Sequence, residues 1–299
     1  FEANCKIISQ KKNFSKNIFL IADDKKLEIK EKIEKIGKPL KNWNVKIYRG
    51  VLTGYNKAFI IDSKTRDEIL KNCKDEEERK RTEEIIKPVL RGRDIEKYRY
   101  KWAGLWVIII PAGWTNKNRG EKRGEEFFKE TFSSLYKYFI SFVDVKGKGK
   151  GLFQRDDQGD YWWELRPCDY YNEFEKEKIV WQHVSGRYEF AYVPAGIYLN
   201  NALFMITGKP YVLKYILGIL NSKFADYLLL LFTNLTSLGR YAYGAKDKIE
   251  QLPLPPITKE NQPLADQIVQ KVQEILSLTQ SPDYETNKEK QQKVKELEK

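Results

Sequence analysis

Guanidinium, ammonium and carboxamide groups beside glycine are the side chains that grip phosphates and base edges, and this sequence gathers them in loops. The first such stretch is Trp43–Asp62, WNVKIYRGVLTGYNKAFIID. Its β-branched and aromatic residues predict a strand over Lys46–Val51 and another over Ala58–Ile61. Between them lie Gly50, Thr53, Gly54, Tyr55, Asn56 and Lys57, donors without an acid, and Arg49 leads into them. The same residues equally describe a structural turn. A second basic turn, Lys87–Tyr100, carries Arg91, Gly92, Arg93, Lys97 and Arg99, and a third, Leu238–Lys248, carries Arg240, Tyr241, Tyr243 and Lys246. Lys148 sits in KGKGKG (Lys146–Gly151), which reads either as a flexible basic loop beside a polyanion or as an exposed linker. Arg155 follows it, and Arg187 falls at a predicted hairpin turn. In YWWELRP (Tyr161–Pro167), alternation along a strand would send Trp162 and Trp163 to opposite faces, so one of them, taken as Trp163, is a contact candidate.

Catalytic chemistry is harder to find. No phosphate-binding GxxxxGK[ST] loop and no GxSxG nucleophile elbow occurs. Cys5, Cys73 and Cys168 form no CxxC, and a zinc site would need all three to converge on His183, the single histidine. Alternation places His183 on the face of Ile179 and Trp181, a structural position, with no partner motif for catalysis. Asp283, Glu289 and Lys290 loosely match the acids and lysine of a metal-dependent nuclease, but they sit in a charged helical pattern. With no signal peptide apparent, the thiols read as free in a reducing, cytoplasmic compartment. The apolar segment Val212–Phe232 contains Lys214, Lys223 and Asp226, which argues against a membrane span.

Fifty-four Lys and Arg against forty-two Asp and Glu give a net charge of +12 over 299 residues, and aromatics make up 13%. That combination favours a nucleic-acid partner. A chain that begins with Phe1 and holds one methionine, Met205, is expected to be a piece of something longer.

The elements that must hold these loops follow from periodicity. Asp24–Gly37 predicts a helix on Leu27, Ile29, Ile33 and Ile36, and Thr65 with Glu68 predicts a capping box for a short helix through Cys73. KDEEERKRTEE reads as a solvated helical face that ends before Pro88. Trp106–Ile110 predicts a buried central strand, Trp114–Gly124 a surface loop, and Glu125–Val143 one helix packed through Phe128, Phe132, Leu135, Phe139 and Phe142. An antiparallel meander follows over Lys178–Thr207, then helices at Tyr211–Leu220 and after Asn221 or Ser222. LPLPPI (Leu252–Ile257) marks a boundary, followed by helices over Asn261–Thr279 and Tyr284–Lys299. The fold class expected is α/β (α+β): a mixed, largely antiparallel sheet with packed helices, then a helical C-terminal part. The division expected is a connector over 1–42, a recognition domain over 43–257 and a helical spacer over 258–299.

Taken in order, YRGVLTGYNKAFIID, IIKPVLRGRDIEKYRY, YWWELRPCDYYNEFEKEKIVWQHVS, YILGILNSKFADYLL and KIEQLPLPPI resemble the C-terminal target-recognition (TaqI-like specificity) domain of adenine-specific DNA methyltransferases and Type IIG restriction-modification enzymes. The resemblance runs from about Asp24 to Ile257. It implies sequence-specific binding of double-stranded DNA, beside an upstream methyltransferase domain of the same chain. It also implies S-adenosylmethionine for the parent enzyme, with magnesium as a further candidate. The NPPY-type motif that such enzymes use on the flipped adenine is absent here, so this stretch is expected to be non-catalytic and cofactor-free. The DNA-binding candidates are then Arg49, Thr53, Asn56, Lys57, Arg91, Arg93, Lys97, Lys148, Arg155, Trp163, Arg187, Arg240, Tyr241 and Lys246. Arginine suits guanine, asparagine suits adenine, and lysine suits phosphate. A stand-alone nuclease, or a module for RNA or protein, is the alternative.

Overall fold

Three apolar runs, IVWQ, FAYV and LFMIT, show no inside-outside alternation, as strands do when both faces are covered. In a computed structural model that describes residues 24–142, 151–185, 188–225, 228–229, 242–243 and 246–299, they form one sheet. Its strands are β2 (Val45–Arg49), β10 (Leu203–Gly208), β6 (Lys178–Gln182) and β8 (Phe190–Val193), side by side in that order and antiparallel. Alternate residues part to two cores. Ile179, Trp181, Phe204 and Ile206 pack with helix α8 (Pro210–Leu220) and with the helix Gln262–Thr279. Val180, Leu203 and Met205 pack the other way, with a second sheet.

That second sheet orders β3 (Ile60–Asp62), β5 (Leu105–Ile108), β4 (Ile86–Leu90) and β9 (Tyr198–Leu199). Its pairs are antiparallel except β4 with β9, which is parallel. The fold is therefore the mixed, largely antiparallel α/β arrangement expected, with helices at its C-terminal end. The two strands flanking the Trp43–Asp62 loop do not pair with each other, however. Strand β2 belongs to the first sheet and β3 to the second, and the short helix α2 (Asn56–Phe59) turns the chain between them. Ala58 and Phe59 are buried in that helix, so their apolar character reports depth and not a strand.

Local chemistry changes other expectations. Helix α3 (Ser63–Lys71) is capped by Asp62, whose carboxylate accepts from Thr65 N at 2.8 Å, in place of the Thr65–Glu68 box. Such a cap is worth about 1 kcal/mol. Helix α4 (Glu76–Ile85) is not wholly solvated. Glu78 is fully buried and accepts from Lys74 N, Ser133 Oγ and Ser134 N. Trp114–Asn118 is a short helix, not a loop. The aromatic helix breaks at Phe132 into Gly124–Thr131 and Ser133–Ile140, with Phe128, Phe132, Leu135 and Phe139 in the core. In α1 (Asp24–Ile36), Ile33 packs while Ile29 and Ile36 stand exposed.

Segments that flank the two sheets in sequence pack on the first one. Lys38–Pro39 pairs with Pro253–Leu254, so the proline segment is a short strand with Leu252 and Leu254 buried. Helix Gln262–Thr279 lies on α8, where Gly218 gives room to Ile268 and Val272. No described helix is long and apolar enough to cross a membrane.

Lys178 is a charged side chain buried in this core. Its ammonium is fully enclosed and donates to the carbonyls of Phe174, Lys176 and Pro194 at 2.8, 2.7 and 2.9 Å. Burial pushes its pKa down to about 8. Replacing Lys178 by Met should orphan the carbonyls of Lys176 and Pro194, while Phe174 O keeps Gly196 N at 3.0 Å, and cost about 2 kcal/mol or more, read as a lower urea midpoint at unchanged slope.

Candidate nucleic-acid interface

Three strand ends meet at one turn, Asn200–Ala202. Gly50 N donates to Leu203 O at 2.9 Å and Val51 N to Leu199 O at 2.7 Å. Asn200 N donates to Leu90 O at 3.0 Å, and His183 N to Ala202 O at 2.8 Å. The close approach needs glycine, because a Cβ on residue 50 would lie 2.0 Å from Asn200 O. The ends of β2, β4 and β6 thus come to one edge, and with them Arg49, Arg91, Arg93, Gln182 and His183. A short ribbon, Val184–Ser185 paired with Ala242–Tyr243, extends from the same edge.

The cations here are held differently from one another. Arg49 is half-buried and its Nε donates to Asn201 O at 2.9 Å. Beside it opens a recess of about 400 Å³, lined by Val51, Arg166, Cys168 and Tyr170 among others. Arg91 is tied to Asp94, Nε at 3.1 Å and Nη2 at 2.8 Å. Arg93 is exposed, with no partner for its guanidinium among the described residues. His183 lies edge-on to the Phe204 ring at 5.1 Å. Burial, and then the positive charge of Arg49, hold its pKa below the ordinary histidine value.

Several residues expected to touch DNA do other work. Arg155 is buried, and burial lowers its pKa to about 10. Its guanidinium donates to the carbonyls of Thr53, Leu152, Trp162 and Glu164, and lies 4.6 Å from the Phe59 ring centre. It is an internal strut, because four carbonyls pointing inward need a donor with that reach. Trp163 is core. Residues 161–165 are a turn and not a strand, so both tryptophans can face inward. Trp163 stacks between Phe128 and Tyr161, each at 4.7 Å, and its Nε1 donates to Thr115 Oγ1. Thr53 is buried and donates to Asn56 Oδ1 at 2.6 Å. Lys97 pairs with Glu298 at 2.6 Å, and Lys246 with Glu250 at 3.3 Å. Asn56 and Lys57 stay exposed on the first turn of α2, just after Gly54, which abuts Asp157. Lys148, Arg187, Arg240 and Tyr241 lie outside the described residues.

The turn Asn200–Ala202 and Gln182 were not singled out by sequence. The signal available was Asn-Asn between two apolar runs, a turn signature. Asp283, the acid of the nuclease-like pattern, accepts from Lys290 Nζ at 2.5 Å and Asn287 Nδ2 at 2.9 Å, a local surface network. Among the described residues, no cluster of three or more His, Cys, Asp or Glu could hold a metal ion.

One antiparallel sheet and one mixed sheet gather their loops at this edge, and likeness to known proteins gives the family. Residues 87–254, more than half of the chain, match the model of the TaqI-like C-terminal specificity domain, and the chain belongs to that family. No curated protein matches it. Among solved structures it is similar in fold to the type IIG restriction endonuclease BpuSI, at 13% identity and a TM-score of 0.50 over 91% of this chain. It is likewise similar to the Type IIL restriction-modification enzyme MmeI, solved in complex with DNA, at 11% identity and a TM-score of 0.53 over 87% of this chain. The chain spans about a third of each of those proteins, 33% and 32%.

As the one histidine, His183 gives a single imidazole signal. Its NMR titration midpoint should fall below 6.5, and Arg49→Gln should move it upward. Because the folded pKa is the lower one, stability should be complete above about pH 6.5 and decline as pH falls through the folded midpoint. Arg155→Met should destabilise the fold by about 3 kcal/mol, read as a lower unfolding midpoint, by orphaning the carbonyls of Thr53, Leu152 and Trp162, while Glu164 O keeps Gly159 N at 3.2 Å.

Proposed function

We propose that this chain is the sequence-specific double-stranded-DNA recognition domain of a restriction-modification enzyme, and that it positions a target for a catalytic domain in the same polypeptide. What carries the reading is one observation: in a chain of the specificity-domain family, the ends of β2, β4 and β6 place Arg49, Arg93, Gln182 and His183 together around the Asn200–Ala202 turn. Arginine, glutamine and asparagine are the groups that read the major groove, and loops gathered at one edge can present them together. The net charge of +12 supplies the sequence-independent attraction.

In this reading the parent is an adenine-N6 DNA methyltransferase, with or without cleavage. It takes S-adenosylmethionine, and magnesium if it cuts, in domains outside this chain. Its working place is the cytoplasm, where the DNA is. Residues 43–257 are the recognition unit, with 1–42 as connector and 258–299 as spacer.

Selection from a randomised duplex pool should enrich one short motif, and affinity should fall with salt at a log–log slope of about −0.9 per phosphate contact. Arg49→Gln should weaken that binding, while Lys290→Gln, whose ammonium is held by Asp283, should leave it unchanged. Retention of single-stranded RNA in preference to duplex DNA would overturn the reading.

A further inference from the structure

Of the arginines among the described residues, only Arg93 and Arg123 have a guanidinium without a hydrogen bond, ion pair or ring contact, and of these two only Arg93 stands at the strand-end edge. Its freedom is built. The nearest acid in sequence, Asp94, is buried and already occupied, because its carboxylate accepts from Arg91 N at 2.8 Å, Arg91 Nε at 3.1 Å and Arg91 Nη2 at 2.8 Å. One arginine is thus spent to neutralise the acid, and the next is left with its charge and all its donors.

The platform under Arg93 is also fixed. Gly92–Asp94 forms a single 3-10 turn, with Asp94 N donating to Arg91 O at 3.0 Å and Ile95 N to Gly92 O at 3.2 Å. Lys101 N donates to Asp94 O at 2.8 Å and closes the far side. Gly92 sits against the sheet edge, its missing Cβ 3.8 Å from both Ala202 Cβ and Gln182 Cγ. A phosphate contact tolerates a swinging side chain. A fork that must meet two acceptors on one base edge gains from a root that does not move.

We propose that Arg93 is a specificity-determining residue that takes the O6 and N7 edge of a guanine, and that the Asp94–Arg91 pair is the device that positions it. This rests on the DNA-recognition reading above. Lysine in place of Arg93 keeps the charge and loses the fork, so the two substitutions of interest are Arg93→Lys and Asp94→Asn.

The test is selection from a randomised duplex pool by the 299-residue chain and by each variant, with the enriched positions compared. The wild-type motif should contain a guanine whose preference falls about tenfold or more in Arg93→Lys, with the other positions kept. Asp94→Asn should weaken the same position and no other. Arg93 is exposed, so its variant reports even if Asp94→Asn proves too unstable to use. An unchanged motif in Arg93→Lys overturns this inference alone, and so does a uniform weakening across all sequences, which marks a phosphate contact. A wild-type chain that enriches nothing removes the DNA-recognition reading itself, and this inference with it.

Discussion

The structure depends on one close approach. The backbone of Gly50 passes so near the carbonyl of Asn200 that no side chain fits between them. That contact lets β2 leave the first sheet and cross toward the second while the Asn200–Ala202 turn feeds β10 back beside it. Because Leu90 and His183 bond to the same turn, the position of four segments is set by one backbone cluster. Elsewhere the sheets are held by area, with two cores on either side of β10 and β6. At this edge they are held by geometry.

The net charge says less about the interface than about where charge is left over. Lys97, Arg99 and Lys101 are basic in sequence, yet Glu96, Glu285 and Glu298 meet them at 2.5 to 2.8 Å, and the last two tie the turn to the residues flanking the C-terminal helix Lys288–Leu297. Arg155 is spent on carbonyls and Arg91 on Asp94. Exposed pairs of this kind contribute little energy each, but they remove cations from the account a DNA backbone would see. An interface in such a chain is found by asking which cations have nothing inside the molecule to hold.

The strand and helix content was legible in the sequence wherever burial was two-sided or strongly periodic, as in Lys178–Thr207 and Tyr211–Leu220. The order of motifs was enough to name the family. What failed was the partition between loop and core. Ala58 and Phe59 looked like strand because they are apolar, yet they lie in a helix. Trp163 looked like surface because alternation was assumed where the backbone turns. Arg155 looked like a phosphate contact because nothing local shows the four carbonyls that converge on it from residues 53 to 164. Arg49, Arg91 and Arg93 were recognised as candidates, but their meeting at a turn more than a hundred residues away is a property of topology, which single-sequence spacing does not carry.

The contacts at the Asn200–Ala202 turn have one more consequence. Every bond that gathers the strand ends there runs between main-chain atoms, apart from the Nε of Arg49. Gly50 is fixed, but none of those bonds is made by the side chains at 93 and 182. Such a frame is indifferent to what it displays. If those side chains read DNA as proposed, substitution there would alter the sequence read while the scaffold keeps its shape, so changes of target would accumulate one residue at a time without passing through an unfolded intermediate.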